Sequence, residues 1–453
     1  MRGERAELKA GLQAKAEQAI EELLDWAEAT NAPTLTEIED KVLKLRKRLS
    51  EAMVETVIGA QASVQLVPKP ICQECQHPLH YKAHKGTTVE SRVGRLRLQR
   101  GHYYCEHCGS GVFPLDEQLQ LRDGAWSEQV VKHAVWLSGL VTYEEAAAIL
   151  DKVGQVSLAS KSIWRRVKVW GERGQALDVK AQAVASALPA RAQPVPGEAP
   201  SPLTLGVAMD GAMVHVRTEG WKELKVGSVF EVALLPTRDK HTGDGLDLAH
   251  AVATSYVAHL GGPEVFGQAV WAEARRRQWT RAKETVAVGD GAPWVWNLVA
   301  EHFFDSRQVV DWYHATTHLH QAAALLKGEG TPAAQQWFKD YETKLFEGHA
   351  DQIADHLRTQ AKTQRKVADP LRREAGYFAD NVRRMQYLEI REDDLPIGSG
   401  MVESGCKQYR ARFAGPGMRW SRPGLQRLLP VRTAIMSRRF DDWWQSVYQL
   451  PHK

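Results

Sequence analysis

Apolar residues recur at steps of three and four along the first 60 residues, which is the spacing of one face of an α-helix. The recurring positions are Ile38, Val42, Leu45, Leu49, Met53 and Val57. Pro33 is expected to divide this segment into two helices. The pattern predicts an N-terminal helical arm over residues 1–65, which either packs on the next domain or pairs with a second copy of the chain.

A different pattern follows between residues 89 and 99, where apolar and polar residues alternate. Leu96 and Leu98 alternate with Arg95 and Arg97 behind Gly94. Alternation with a period of two next to a glycine turn predicts a β-hairpin.

Two identical cysteine pairs flank this hairpin, and they are Cys72-x-x-Cys75 and Cys105-x-x-Cys108. Thiolates on two turns can close a tetrahedral four-sulfur zinc site that has no open position. We therefore predict a zinc-ribbon domain over residues 66–120, with the four cysteines as structural ligands. A redox dithiol pair, or a histidine ligand such as His77 or His102, stays open as an alternative.

Residues 121–180 return to helical spacing, in three short segments. Ser127 is expected to cap the first, Thr142 begins the second, and Ser160 begins the third. The third segment carries four cations, which are Lys161, Arg165, Arg166 and Lys168, and the first three are expected to contact DNA. A basic helix in this position is the kind of element that enters a DNA major groove. We predict a helix-turn-helix-like DNA-binding domain, and a generic helical bundle with a solvated basic face is the alternative.

A proline-rich linker is predicted over residues 181–203, and the patterns that follow indicate an α/β domain. The predicted strands are residues 205–209, 213–216, 226–235, 285–289 and 309–310. The first three are expected to form an antiparallel meander. A helical stretch is expected from about Leu246 to Arg277.

Two of these strands end in an aspartate followed by glycine, at Asp210 and at Asp290. Each Asp-Gly pair alone is typical of a turn. Acids at the ends of adjacent strands can share a divalent cation, however, because Mg²⁺ prefers carboxylate oxygens. Glu403 offers a third carboxylate, since Ser399 is expected to cap the helix on whose first turn it lies.

Residues 315–395 have apolar positions at helical steps, which predicts an all-helical insertion between the second acid and Glu403. Trp337 in this segment either packs in the core or stacks on an unpaired base. The C-terminal part, residues 396–453, is basic, and Glu403 is its only acid as far as Phe440. The residues expected to contact DNA there are Lys407, Arg410, Arg412, Arg419 and Trp420. Trp420 alternatively anchors its loop in the core.

The whole chain of 453 residues has 59 Lys and Arg against 55 Asp and Glu, so a net charge of +4 conceals this basic segment. No stretch approaches the roughly 20 consecutive apolar residues that span a bilayer, so we expect a cytoplasmic protein without a membrane partner. In a reducing compartment the paired cysteines indicate metal binding more than disulfides.

The segments around the three acids resemble the motifs of a known family. They are Val-Ala-Met-Asp210-Gly, Val-Gly-Asp290-Gly-Ala and Gly-Ser-Gly-Met-Val-Glu403-Ser. They resemble the Asp-Asp-Glu transposases of bacterial insertion sequences, most closely those of the ISKra group, which are related to the Mutator-like elements. Asp311-x-x-His314 also resembles the acid-x-x-His signature that follows the second aspartate in Mutator-like enzymes.

The resemblance implies an RNase H-like catalytic core in two parts, residues 204–314 and 396–453. It implies that Asp210, Asp290 and Glu403 bind two Mg²⁺ or Mn²⁺ ions and that His314 is a further catalytic residue. The implied activity is cleavage of phosphodiester bonds at transposon ends and transfer of the freed 3′-hydroxyl to target DNA.

The implied partners are the terminal inverted repeats, target DNA and further copies of the chain, in a homodimer or higher oligomer associated with the nucleoid. Two other functions stay open. One is a catalytically retired, transposase-derived regulator that only binds DNA. The other is an RNase H-like nuclease that cleaves strands without joining them.

Overall fold

The computed structural model describes residues 2–60, 70–72, 74–187, 202–238 and 245–450. The chain divides into two compact units. Unit 1 comprises Met1–Trp170 together with Trp444–Lys453, and unit 2 comprises Gly171–Trp443. Most of the predicted linker, residues 188–201, lies outside the described residues.

Unit 1 begins with the two helices of the predicted arm, α1 (Arg2–Ala29) and α2 (Leu35–Gly59). Thr34 and Glu37 form a capping box at the start of α2, directly after Pro33. The second half of α2 packs on the β-hairpin through Val54 and Ile58. The first interpretation of the arm, packing on the next domain, is therefore confirmed for this half of α2.

The hairpin and its neighbours form a small three-stranded sheet. Its elements are β1 (His80–Ser91), β2 (Gly94–Tyr104) and β3 (Gly111–Val112), followed by α3 (Pro114–Gln118). All pairings are antiparallel, and Val89 faces Leu96 in the register. Both side chains are buried against α2, which explains why one face of the alternating pattern is apolar.

Three helices follow, α4 (Glu128–Leu140), α5 (Tyr143–Lys152) and α6 (Ser160–Ala187). Ser127 precedes α4 as predicted, but its side chain makes no capping hydrogen bond. The third helix is not short as predicted, because α6 has 28 residues and continues into the predicted linker. The capping box of Thr142 and Glu145 is present at the start of α5. The final helix, α16 (Phe440–Gln449), returns to unit 1, where the rings of Trp444 and Tyr448 each lie 5.1 Å from the ring of Trp170. These three aromatic side chains close the core of the unit.

Unit 2 is built on a five-stranded sheet. Its strands are β4 (Thr204–Val216), β5 (Gly220–Arg238), β6 (Gly245–His259), β7 (Glu284–Gly289) and β8 (Arg307–Val310). They lie in the order β6-β5-β4-β7-β8. The first three strands are antiparallel to one another, whereas β4, β7 and β8 run parallel. The sheet is mixed, and the carboxyl ends of its three parallel strands share one edge.

Two predictions about this sheet were wrong. Residues 205–209 and 213–216 belong to one strand, because Asp210 to Ala212 continue the ladder with β5. The helix expected from Leu246 begins only at Pro263, because the segment before it forms β6. That segment is rich in alanine, a strong helix former, but its backbone pairs with β5 almost throughout. Long-range pairing overrides local propensity here.

Among the described residues, nine helices lie entirely in unit 2 with this sheet. They are α7 (Pro263–Arg276), α8 (Pro293–His302), α9 (Trp312–Lys327), α10 (Pro332–Phe346), α11 (Ala350–Thr363), α12 (Ala368–Asn381), α13 (Tyr387–Glu392), α14 (Gly400–Phe413) and α15 (Arg422–Met436). Helices α6 and α16 are not counted, because each lies partly in unit 1. Short 3₁₀ turns stand at Trp279–Arg281, Arg365–Val367 and Val382–Arg384.

The segment between β8 and α14 is helical, as predicted for the insertion. Trp337 is 7% exposed, and its ring stacks on that of Tyr341 at 4.1 Å. The core interpretation of Trp337 is therefore the one that its surroundings support.

Within the ranges that the structure describes, no helix combines the length and the apolar character needed to cross a bilayer.

Candidate functional site

Aspartates stand where the parallel pairing of unit 2 ends. Asp210 lies within β4, just beyond its ladder with β7, whereas Asp290 and Asp311 directly follow β7 and β8. The register pairs Ala208 with Val288, so Asp210 and Asp290, two residues further on, fall side by side. Gly289 pairs with Val310 in the next strand, which places Asp311 beside Asp290. Neighbouring strands are about 4.8 Å apart. The sheet therefore brings the two predicted aspartates to one edge and adds a third.

Asp311 is fully buried and connects two helices. Its Oδ1 accepts the backbone N–H of His314 at 2.7 Å and lies 3.1 Å from Nδ1 of that ring. Its Oδ2 accepts the backbone N–H of Ser399 at 2.5 Å, just before α14. Burial raises the pKa of Asp311, but its hydrogen bonds to His314 and Ser399 outweigh burial and lower that pKa. The same carboxylate raises the pKa of His314.

Helix α14 carries Glu403 across the sheet edge. Gly405 permits the close approach, since a Cβ at this position would lie 2.6 Å from Cε1 of Tyr256. Ser399 precedes the helix, but its side chain does not make the predicted capping bond to the backbone; its Oγ instead donates to Oε1 of Glu403 at 3.4 Å. Ser399, whose backbone N–H is bound by Asp311, therefore also positions Glu403.

Glu403 and Asp210 line one cleft of about 530 Å³, together with His314. The side chains of Lys407, Arg410 and Tyr313 complete its rim. Cys406 also contacts Asp210, and its burial raises the pKa of its thiol. A buried thiol with a raised pKa is not an activated nucleophile.

The structure contains a group of possible metal ligands that differs in part from the predicted group of Asp210, Asp290 and Glu403. Ligand atoms of Asp311, His314 and Glu403 lie within 4.8 Å of one another, and Asp210 and Asp290 are outside this group. Glu403 therefore lies within metal-ligand distance of Asp311, which the sequence suggested only through its motif with His314. The carboxylate oxygens suit either Mg²⁺ or Mn²⁺. The imidazole nitrogen of His314 favours Mn²⁺ of these two ions.

Asp290 is held from two sides. Its Oδ1 accepts the backbone N–H of Ala292 at 2.9 Å, and its backbone carbonyl accepts the hydroxyl of Tyr377 at 3.3 Å. Gly291 has a φ of +97°, and a Cβ there would lie 2.8 Å from the Tyr377 ring. Sequence reasoning missed Tyr377, because its position in a helical pattern has no feature that distinguishes it from a core residue.

The four cysteines of unit 1 form a single cluster. Sγ of Cys72 lies 3.6 Å from Sγ of Cys108, and Sγ of Cys75 lies 3.4 Å from Sγ of Cys105. Four thiolates at 2.3 Å from a zinc ion in a tetrahedron would be about 3.8 Å apart. The cluster can therefore hold one zinc ion with small adjustments, and it has the composition of a closed structural site.

The two cysteine pairs make the same backbone hydrogen bonds. Cys72 N–H donates to the His77 carbonyl and Cys105 N–H donates to the Ser110 carbonyl, each at 2.8 Å. The hydroxyl of Ser110 contributes most to lowering the pKa of Cys72, to about 6, which favours the thiolate that binds metal. The four sulfur atoms of the two pairs therefore lie in one cluster.

The histidine alternatives have different outcomes. His77 stacks on His107 with ring centroids 3.9 Å apart, and both lie within ligand distance of Cys75. His102 stacks on Phe113 and is not part of either cysteine-containing group. The four-cysteine set is complete without a histidine.

The residues predicted to contact DNA fall into two classes. Lys161, Arg165, Lys407, Arg410 and Arg419 are exposed. Arg166 instead forms a two-nitrogen ion pair with Asp123 and lies over the ring of Trp126. Arg412 is 3% exposed and lies against the rings of Phe413 and Trp420.

Trp420 is half-buried, and its indole N–H donates to the Phe413 carbonyl at 2.8 Å. These contacts support the interpretation in which Trp420 anchors its loop. Of the residues predicted to contact DNA, the exposed ones are therefore Lys161 and Arg165 in unit 1 and Lys407, Arg410 and Arg419 in unit 2.

Comparison with known proteins adds no name to this geometry. No protein-family model matches the chain, and no curated protein matches it.

Proposed function

We propose that this protein is a DNA transposase that cleaves phosphodiester bonds at transposon ends and transfers the freed 3′-hydroxyl to target DNA. One observation carries the proposal. The parallel ladder between β4 and β7 ends two residues before Asp210 and Asp290, and Glu403 lines the same cleft as Asp210 from a helix that packs over the sheet. Carboxylates in such an arrangement suit two-metal phosphoryl transfer.

The sheet of unit 2 supports an RNase H-like core as part of the same proposal. Three antiparallel strands are followed by two that run parallel to the first. The first acid is on the first strand, the second follows the fourth strand, and the third is on a helix after the insertion. This order agrees with the motifs of the Asp-Asp-Glu family that the chain resembles.

The residues that would hold Mg²⁺ or Mn²⁺ are Asp210, Asp290 and Glu403, with Asp311 and His314 next to Glu403. Two such ions, when bound, activate the attacking water or 3′-hydroxyl and stabilise the leaving oxygen. Asp311 orients the imidazole of His314 and the start of α14. Lys407 and Arg410 present positive charge at the rim of the cleft, where a phosphate backbone would lie.

The remaining parts of the proposal concern DNA recognition. A zinc ion in the four-cysteine cluster stabilises the fold of unit 1 and leaves no open position for chemistry. Lys161 and Arg165 on α6 are the exposed cations that we assign to the terminal repeats. We further propose a homodimer or higher oligomer on DNA, associated with the nucleoid.

The test is strand transfer by the full-length protein in Mg²⁺, on duplexes that carry the DNA flanking its gene. Asp290→Asn keeps the size of the side chain and removes the charge, so we expect cleavage and joining to fall by at least about 100-fold. Asp247→Asn, at an exposed position of β6, is the matched control and is expected to retain activity.

Full activity of Asp290→Asn would contradict the assignment of that residue. Sequence-specific binding by the wild-type protein without metal-dependent cleavage would instead favour a DNA-binding regulator. Cleavage without joining would favour a nuclease.

A further inference from the structure

The tip of the hairpin between β4 and β5 carries an exposed tryptophan. Trp221 is 60% exposed, more than any other tryptophan of the described ranges. It faces His215 across the two strands, and the two rings are perpendicular with centroids 5.5 Å apart. One edge of the indole is therefore supported by the hairpin, while much of the ring is open to solvent.

The hairpin tip is tied to the loop that follows α14. Trp420 N–H donates to the His215 carbonyl at 3.1 Å, and Arg217 N–H donates to the Trp420 carbonyl at 2.7 Å. The side chain of Arg217 also donates to the Arg419 carbonyl at 3.0 Å. These bonds hold the tip to the segment that follows Glu403 in the chain, so Trp221 stands on a braced support.

The charge around Trp221 is positive on balance. Glu223, two residues along β5 on the same face, is paired with Lys225 at 2.5 Å. Arg217 and Arg419 are exposed, and Lys222 is half-exposed beside the ring in sequence. Glu219 is neutralised by Arg422, whose guanidinium binds it with two nitrogens at 2.9 and 2.6 Å. An aromatic face surrounded by cations is the combination that binds single-stranded nucleic acid.

Strand β4 and helix α14 both connect the region of this tip to the acidic cleft. Val216 lies six residues beyond Asp210 on β4, which is about 20 Å, or roughly six nucleotides of duplex. Lys407 and Arg410 lie on α14 between Glu403 and the loop that braces the hairpin. Exposed cations thus occur along the path between the acids and Trp221.

We infer that Trp221 is a stacking site for an unpaired nucleobase of the DNA strand that enters or leaves the acidic cleft. The inference rests on the proposed function for its choice of DNA. A base that is unpaired near the cleavage point loses its neighbours in the duplex, and the indole face replaces one of them. Arg217 and Arg419 then contact the phosphates on either side.

The experiment uses the full-length protein without added Mg²⁺ and two DNA probes. One is a blunt duplex, and the other is the same duplex with a single-stranded 3′ tail that contains 2-aminopurine, whose fluorescence falls when the base stacks. The wild-type protein is expected to bind the tailed duplex more tightly and to quench the probe. Trp221→Ala should weaken that binding between about fivefold and 100-fold and abolish quenching. Trp221→Phe should restore most of both.

Phe304→Ala is the matched control, because Phe304 is 50% exposed and precedes β8, at the other end of the sheet. It should leave both readouts unchanged. Unchanged binding and quenching by Trp221→Ala would overturn the stacking site, and so would an equal loss on the blunt duplex.

The outcomes separate this site from the proposed function. A wild-type protein that quenches the probe but never cleaves DNA in Mg²⁺ would overturn the transposase proposal and leave the stacking site in place. Metal-dependent cleavage by the wild type, combined with normal probe binding by Trp221→Ala, would overturn the stacking site alone.

Discussion

The carboxylate of Asp311 accepts the backbone N–H of Ser399 at 2.5 Å, although 88 residues separate them in the chain. This bond joins the end of β8 to the start of α14. Because the other oxygen of the same carboxylate binds His314, one buried side chain sets the positions of both His314 and Glu403. The geometry of the cleft therefore depends on a residue that does not line it.

Asp311→Asn is expected to lower the free energy of unfolding by roughly 1–3 kcal/mol. The amide has one acceptor oxygen where the carboxylate has two, so one buried N–H of His314 or Ser399 loses its partner. Urea denaturation followed by fluorescence measures the change. Asp393→Asn, at an exposed position after α13, is the control and should have little effect. Equal stability of Asp311→Asn and the wild type would show that these bonds do not brace α14.

The purified protein is expected to contain one zinc ion per chain, measured by elemental analysis. Cys105→Ser should reduce that content to near zero and destabilise the sheet of β1 to β3, because metal binding is coupled to folding in such sites. Cys406→Ala is the matched control, since this fifth cysteine lies in unit 2. If a strong chelator removed the zinc without any change in circular dichroism or protease resistance, a structural role would be refuted.

Protonation of Glu273 at low pH is expected to make unit 2 less stable. It is 5% exposed, and its carboxylate lies 2.5 Å from Nη2 of Arg276 and 2.9 Å from Nη2 of Arg439. Burial raises the pKa of Glu273, but the two guanidinium groups outweigh burial and hold that pKa below its usual value. A lowered folded-state pKa contributes stability above the unfolded-state pKa, and this contribution is lost as the pH falls through the folded-state pKa.

The variant Glu273→Gln should therefore lower the free energy of unfolding by roughly 1–2 kcal/mol at pH 7. Between pH 5 and pH 3, at about the usual pKa range of glutamate, the variant should lose less stability than the wild type. Glu264→Gln, near the start of the same helix, controls for removing a negative charge from α7. Parallel acid titrations of wild type and Glu273→Gln would contradict the assigned role.

Two neighbouring arginines of α6 are expected to behave differently. Arg166→Ala leaves the carboxylate of Asp123, which is 10% exposed, without its ion pair, so unit 1 should lose about 2–3 kcal/mol of stability. Arg165→Ala should leave stability within about 0.5 kcal/mol of the wild type, because the side chain is exposed. If α6 binds DNA, Arg165→Ala should also reduce the salt dependence of binding, by about one counterion. Equal effects of the two variants on stability would refute this distinction.

Much of the secondary structure follows from local patterns. Helical spacing and caps predicted α2, α5 and the helical insertion, and alternation predicted the hairpin of β1 and β2. The Leu246 segment shows the limit, because alanine-rich residues that favour a helix form β6 when β5 offers a long pairing partner. Arg412 shows the same limit for a side chain, since a basic run gives no indication of which cation is buried between aromatic rings.

By itself the sequence determined the features that depend on near neighbours: the starts of α5 and α6, the hairpin turn, the spacing of the cysteines and the Asp-Gly pairs at Asp210 and Asp290. Only the tertiary structure decided which distant groups meet. Parallel strand register placed Asp311 beside Asp290, and the packing of α14 brought Glu403 to Asp311 and His314. The hairpin tip likewise left Trp221 exposed while the neighbouring loop buried part of Trp420. Periodicity reports only the face on which a residue lies, whereas strand register and helix packing are set by contacts between segments far apart in the chain.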